Sequence, residues 1–99
     1  MSSSEKSLLI QVSVKVLGCV QGVGFRMFVF EKARKLGILG WIKNCSDGSV
    51  EAIYQGPKNL VEEMIEKTKQ GPFLSRVQNV EVLSSGKNLS PFSNFSILP

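Results

Sequence analysis

Residues 17–37 read LGCVQGVGFRMFVFEKARKLG, and a change of period inside this stretch decides the fold. Just before it, in LLIQVSVKVLG (8–18), Ile10, Val12, Val14 and Val16 alternate with Gln11, Ser13 and Lys15. That is the period of a strand with one buried face. After the glycines the period lengthens. Phe25, Phe28, Val29, Ala33 and Leu36 recur at the spacing of an amphipathic helix. Arg34 and Lys35 suit its last turn, and Gly37 suits its C-cap. Between strand and helix lies a loop, Gly18 to Gly24, with three glycines (Gly18, Gly22, Gly24) in seven positions. Glycine is costly to order and offers no side chain to pack, so a loop this rich in it lets backbone come close to something.

Further along, ILGWIKN (38–44) and SVEAIYQG (49–56) have strand character, and CSDG (45–48) between them carries the Asp-Gly pair of a hairpin turn. Pro57 opens a second helix, with Leu60, Val61, Met64, Ile65 and Thr68 at helical spacing. Gly71-Pro72 ends it. RVQNVEVL (76–83) is a fourth strand whose imperfect alternation predicts a bulge. SSGKNLSPFSN (84–94) reads as a loop and FSIL (95–98) as a short closing strand. The order βαββαβ plus a terminal strand predicts an α+β sandwich of the ferredoxin-like type, a mainly antiparallel sheet with both helices on one face. Residues 1–7 are expected to form a disordered tail, and residues 8–99 one domain without internal repeats.

Composition narrows the function classes. Ninety-nine residues, 42% of them hydrophobic, suit one domain with one core. There is no apolar run long enough for a transmembrane helix and no secretory leader pattern, so no membrane partner is expected. A net charge of +4 favours anionic partners. The charge is spread along the chain without a basic block, so a nucleic-acid tail is not indicated. Two cysteines make neither a disulfide framework nor a zinc site, and there is no histidine. The commonest general base and metal ligand is therefore missing. The expected compartment is the reducing cytoplasm.

A glycine-rich turn from a strand into a helix aims several backbone N–H groups toward one point, where the helix dipole adds partial positive charge. Such a place suits a phosphate. Arg26 falls in the first helical turn, where the dipole disfavours a cation. An anion bound between loop and guanidinium reverses that penalty, and the planar guanidinium grips two phosphate oxygens at once. The alternative is a tight turn whose arginine points to water, and glycine spacing alone leaves the two readings open. Other motifs fail. A P-loop needs Gly-Lys-Ser/Thr, which is absent. A cysteine-based phosphatase needs five residues between Cys and Arg, whereas Cys19 and Arg26 enclose six, VQGVGF. Reading GFRMFVF as the aromatic strand of an RNA-recognition motif requires strand period where the spacing is helical.

GCVQGVGFR (18–26) and GWIKNCSDGSVEAIYQG (40–56) closely resemble the two signature segments of the acylphosphatase family. Gly18, Val20, Gln21, Gly22, Val23, Phe25 and Arg26 match the first signature. Gly40, Trp41, Asn44, Gly48, Val50 and Gly56 match the second. The resemblance implies hydrolysis of acyl phosphates to carboxylate and inorganic phosphate without metal or cofactor. It implies that Arg26 binds the phosphate together with the backbone of Cys19, Val20, Gln21, Gly22, Val23, Gly24 and Phe25, and that Asn44 orients the attacking water. The partner is then a small acyl phosphate, inorganic phosphate is both product and competing ligand, and the chain is expected to be a monomer.

Three residues depart from the pattern: Cys19 replaces the family's usual arginine, Ile42 is bulkier than usual, and Cys45 follows Asn44. Trp41 is expected to pack in the core. Met27 and Phe30 fall off the helix stripe and are expected to be partly exposed or to line the acyl side. The competing reading is a non-catalytic ferredoxin-like module that binds anions or nucleic acid. A second is the acylphosphatase-like domain of larger carbamoyl-transfer proteins.

Overall fold

The computed structural model of the chain describes residues 8–99. The tail expected over residues 1–7 lies outside the described residues. Five strands and two helices follow in the predicted order: β1 (Leu9–Cys19), α1 (Phe25–Leu36), β2 (Leu39–Asn44), β3 (Val50–Pro57), α2 (Lys58–Gln70), β4 (Arg76–Gly86) and β5 (Phe95–Ile97). The sheet order is β4-β1-β3-β2-β5, with every pairing antiparallel except the parallel β2·β5 pair.

Register explains the core. Val12, Val14 and Val16 on β1 stand opposite Tyr54, Ala52 and Val50 on β3, and Ile42 on β2 stands opposite Ala52. All of these are buried, together with Val29 and Ala33 of α1 and Val61 and Met64 of α2. Both helices therefore cover one face, and each fully buried aliphatic side chain contributes roughly 1.5–3 kcal/mol there. Tyr54 is wholly buried, and its hydroxyl pairs with Thr68 Oγ1 at 2.7 Å. Burial pushes its phenol well above the usual range.

The other face is crossed by a strap. After β4, on one edge, the chain must reach β5 on the opposite edge, and residues 87–94 make that crossing. Ser90 N–H donates to Gln11 Oε1 at 2.7 Å, and Gln55 Nε2 donates to Ser90 O at 2.7 Å and to Gln11 Oε1 at 2.9 Å. The polar alternate residues of β1 and β3 thus satisfy a loop backbone that would otherwise lie unpaired against the sheet.

Three local expectations change. The first strand runs one residue beyond its predicted end, and Gly18 belongs to the sheet rather than to the loop. β4 carries the expected irregularity twice, since Gln78 and Leu83 are skipped in its pairing with β1. The first skip presses β4 onto Gly18, where an added Cβ would sit 2.1 Å from Arg76 O. Trp41 is not core. It shares β2 with buried Ile42 and, by the two-residue strand period, takes the opposite face, half-buried beneath Lys43 Nζ at 5.3 Å from its ring. Finally, Ser84, Ser85 and Gly86, read as loop, lengthen β4.

Candidate active site

The chain leaves β1 at Cys19, which stands opposite Arg76 of β4. Residues 20–24 then turn into α1. Gly22 and Gly24 hold the left-handed backbone region, with φ of 76° and 78°. An L side chain there costs roughly 1–2 kcal/mol. Space is not the constraint, since an added Cβ at either glycine meets nothing within 4 Å. Gly24 is the N-cap of α1 and offers no side-chain oxygen, and no acidic residue stands in the first turn. Among the described residues, no protein acceptor takes the backbone N–H of any residue from Val20 to Gly24. The loop and the helix start therefore present a cluster of open donors at the positive end of the dipole.

The second side is the β2–β3 hairpin. Asn44 is the last residue of β2, paired with Val50. The turn after it closes through Cys45 N–H to Ser49 O at 2.8 Å and Gly48 N–H to Cys45 O at 3.2 Å. Asp47 braces the turn from within: its Oδ1 accepts from both Ser49 N–H and Ser49 Oγ, and its Oδ2 lies 3.1 Å from Lys15 Nζ. The Ser49 hydroxyl, the Ser49 amide and the Lys15 ammonium together hold the Asp47 carboxyl well below the usual carboxylate range.

These sides enclose a cavity of about 230 Å³. Val20, Gly22 and Gly24 line it from the loop, Phe25, Arg26 and Met27 from α1, Asn44 from β2 and Ile97 from β5. Arg26 and Asn44 thus meet at one place. Arg26 Nη1 donates to Leu98 O at 3.0 Å, and Leu98 N–H donates in turn to Ile42 O at 2.8 Å. Among the described residues Arg26 has no acidic partner, so its charge is left available to a ligand. Asn44 Oδ1 is buried and, among the described residues, has no hydrogen-bond partner. An orphan acceptor of this kind costs roughly 1–3 kcal/mol unless something donates to it.

Cys19, Gln21 and Val23 fall around the cavity rather than on its wall. Cys19 is exposed at the end of β1, and Val23 packs half-buried against the core. Gln21 sends its side chain to the hairpin turn, donating to Cys45 O and to Ser49 O, each at 2.8 Å. Met27 lines the cavity and is 51% exposed at its rim, whereas Phe30, one turn further along the same side of α1, is not a lining residue and lies tilted against Phe95. Cys19 and Cys45 are free thiols. Among the described residues, no group of three or more Asp, Glu, His or Cys side chains converges as a metal site, and no helix is long and apolar enough to cross a membrane. Sequence reasoning missed Ile97 and Leu98. Nothing in FSIL marks them as site residues, because only the parallel docking of β5 beside β2 brings them to Arg26.

The acylphosphatase family model matches residues 12–97. An acylphosphatase of Trichormus variabilis is 46% identical over 81 residues, covering 82% of this chain and 80% of that protein. The crystal structure of acylphosphatase from Bacillus subtilis superposes with a TM-score of 0.88 at 39% identity, over 91% of this chain and 99% of that one. The structure of full-length HypF in its phosphate- and nucleotide-bound form contains a similar unit, with a TM-score of 0.79 at 26% identity over 92% of this chain and only 12% of that one. The matched segment holds the loop, Arg26, Asn44 and β5 together, and on these matches the chain belongs to the acylphosphatase family.

Proposed function

We propose that Arg26 and the open amides of residues 20–25 hold the phosphate of an acyl phosphate while Asn44 holds the attacking water. Hydrolysis of acyl phosphates follows from membership of the family; the assignment of residues is the present reading. One observation carries it. The buried, unpartnered Asn44 Oδ1 lines the same cavity as Arg26 and the start of α1.

The chemistry follows from the lining. A phosphate seated at the helix start accepts hydrogen bonds from the loop amides and a forked pair from the guanidinium. Leu98 O, bound to Nη1, fixes the fork's orientation in advance. Asn44 Oδ1 accepts one O–H of a water and so turns its lone pair toward phosphorus. Water forms the new P–O bond, the bond to the acyl oxygen breaks, and the carboxylate leaves with the electron pair. Among the described residues no Asp, Glu or His lines the cavity, so the water's proton passes to a non-bridging phosphate oxygen. Positioning and charge stabilisation then carry the rate, as phosphoryl transfer requires.

The test is phosphate release from acetyl phosphate by the wild type and Asn44→Ala, with inorganic phosphate as competing ligand. The rate constant should fall while the inhibition constant for phosphate stays close to that of the wild type. Loss of phosphate binding with turnover preserved would move Asn44 to the phosphate cradle. Arg26→Ala separates the enzyme from a module that only binds anions: in the latter, no turnover exists to be lost.

A further inference from the structure

We infer that Gln21 is a positioning residue whose side-chain amide locks the Asn44 turn to the phosphate loop. Its carboxamide nitrogen has two hydrogens, and each has its own acceptor: Cys45 O at 2.8 Å and Ser49 O at 2.8 Å. Both partners are carbonyl oxygens, which cannot donate, so the amide must present its nitrogen. These are also the two carbonyls that close the hairpin turn, for Cys45 O already accepts from Gly48 N–H and Ser49 O from Cys45 N–H. Gln21 takes the second lone pair of each and spans the turn from one end to the other.

The consequence is geometric. Cys45 directly follows Asn44 in the chain, and Ser49 precedes Val50, the residue paired with Asn44 across the hairpin. Holding both carbonyls fixes the backbone on each side of Asn44. At its other end, Gln21 sits next to Gly22, whose left-handed backbone lines the cavity. Among the described residues, Gln21 provides the only side-chain hydrogen bonds made from residues 20–24 to the turn. The two halves of the site lie on separate chain segments, and this amide sets the distance between them. A misplacement of about 1 Å between reacting groups can cost on the order of 100-fold in rate.

The inference rests on the reading of Asn44 as the water holder, and a double-mutant cycle keeps the two apart. Gln21→Met keeps the length of the side chain and removes both donors. Acetyl phosphate turnover is measured for the wild type, Gln21→Met, Asn44→Ala and the double variant, with inhibition by inorganic phosphate alongside. Gln21→Met should lower kcat roughly 10-fold and change the phosphate inhibition constant less than about twofold. In the Asn44→Ala background the same substitution should cause no further loss, because a residue acting through Asn44 has nothing left to position. Gln21→Glu gives a second readout. A carboxylate facing two carbonyls is repelled, whereas the protonated acid can still donate to one. Its deficit in kcat relative to wild type should therefore deepen as pH rises from about 5 to 8, since those carbonyls raise the acid's pKa above its usual value of about 4.3. Equal loss in both backgrounds, unchanged kcat in Gln21→Met, or a proportional loss of phosphate affinity would overturn the role given to Gln21. Full activity of Asn44→Ala alone would instead overturn the reading of Asn44 on which it rests.

Discussion

The loop of residues 20–24 and the turn of residues 45–49 stand side by side, yet they hold their shapes by different means. The turn is closed on itself: its backbone pairs at both ends, and Asp47 fastens Ser49 from within and Lys15 from outside. The loop has almost no such closure. Its shape comes from two left-handed glycines, and its N–H groups find no protein acceptor among the described residues. The difference matches the two tasks proposed for them. A phosphate needs many donors left open, and a loop that satisfied its own amides would have none to offer. A water needs a single acceptor at a fixed place, which a braced turn supplies through Asn44 Oδ1. Phosphate affinity should therefore respond to changes in the loop, and the rate of the bound state to changes at the turn.

The largest effect is expected at the residue that serves the loop side with charge. Arg26→Ala should cut kcat/KM by roughly 100-fold or more, the scale of losing a central transition-state donor, while circular dichroism stays native because Gly24 and the helix backbone are untouched. Arg26→Lys should recover little, since an ammonium cannot make the fork that Leu98 O orients. Near-normal turnover in the lysine variant would reduce Arg26 to a point charge and remove the geometric part of its role.

Within the loop, Gly22→Val should weaken inhibition by inorganic phosphate about tenfold, and Gly24→Ala clearly less. Both positions share the left-handed backbone and the same open surroundings, so each substitution carries strain of roughly 1–2 kcal/mol. They differ in what lies ahead of them. Gly22 is mid-loop, where a branched side chain displaces the amides that face the ligand, whereas Gly24 ends the loop as the helix N-cap. Equal damage at both would mean that backbone strain alone decides, and that the amide at Gly22 does not face the phosphate.

How much of this was legible beforehand depended on distance along the chain. The change from strand period to helix period after Gly24 gave the element order. The two signature segments placed Arg26 and Asn44, since each is a local pattern. What stayed hidden was set by crossings between segments. Gly18 looks like a loop glycine until β4 is seen to press Arg76 O against it. Trp41 looks like core because it is large and apolar, but the register that buries Ile42 turns it away. Leu98 becomes a partner of Arg26 only because the strap of residues 87–94 carries β5 to the far edge of the sheet. The signature marks Gln21 only through its backbone, and only the folded hairpin shows where its side chain goes.

The smallest effect should come from the brace of the turn. Asp47→Asn keeps an oxygen for Ser49 and removes the charge that faces Lys15, both near the surface, so the melting temperature at neutral pH should fall by only a few degrees. The pH dependence carries more information than the size. The folded state holds the Asp47 carboxyl below its ordinary value, first through the Ser49 hydroxyl, then the Ser49 amide and Lys15. A group depressed in this way stabilises the fold above its unfolded pKa, about 3.9 for an aspartate, and loses that contribution as pH falls toward the folded value. Lys15 is shifted the other way, raised by Asp47, so its share is present below about 10.4 and lost only in stronger base. The gap in melting temperature between wild type and Asp47→Asn should hence stay level from about pH 5 to 9 and close as the solution is acidified below about pH 4. Thermal melts across that range decide the matter. A gap that persists undiminished at pH 3 would show that what Asp47→Asn removes is not a charge, and that the charge on Asp47 plays no part in keeping Asn44 in place.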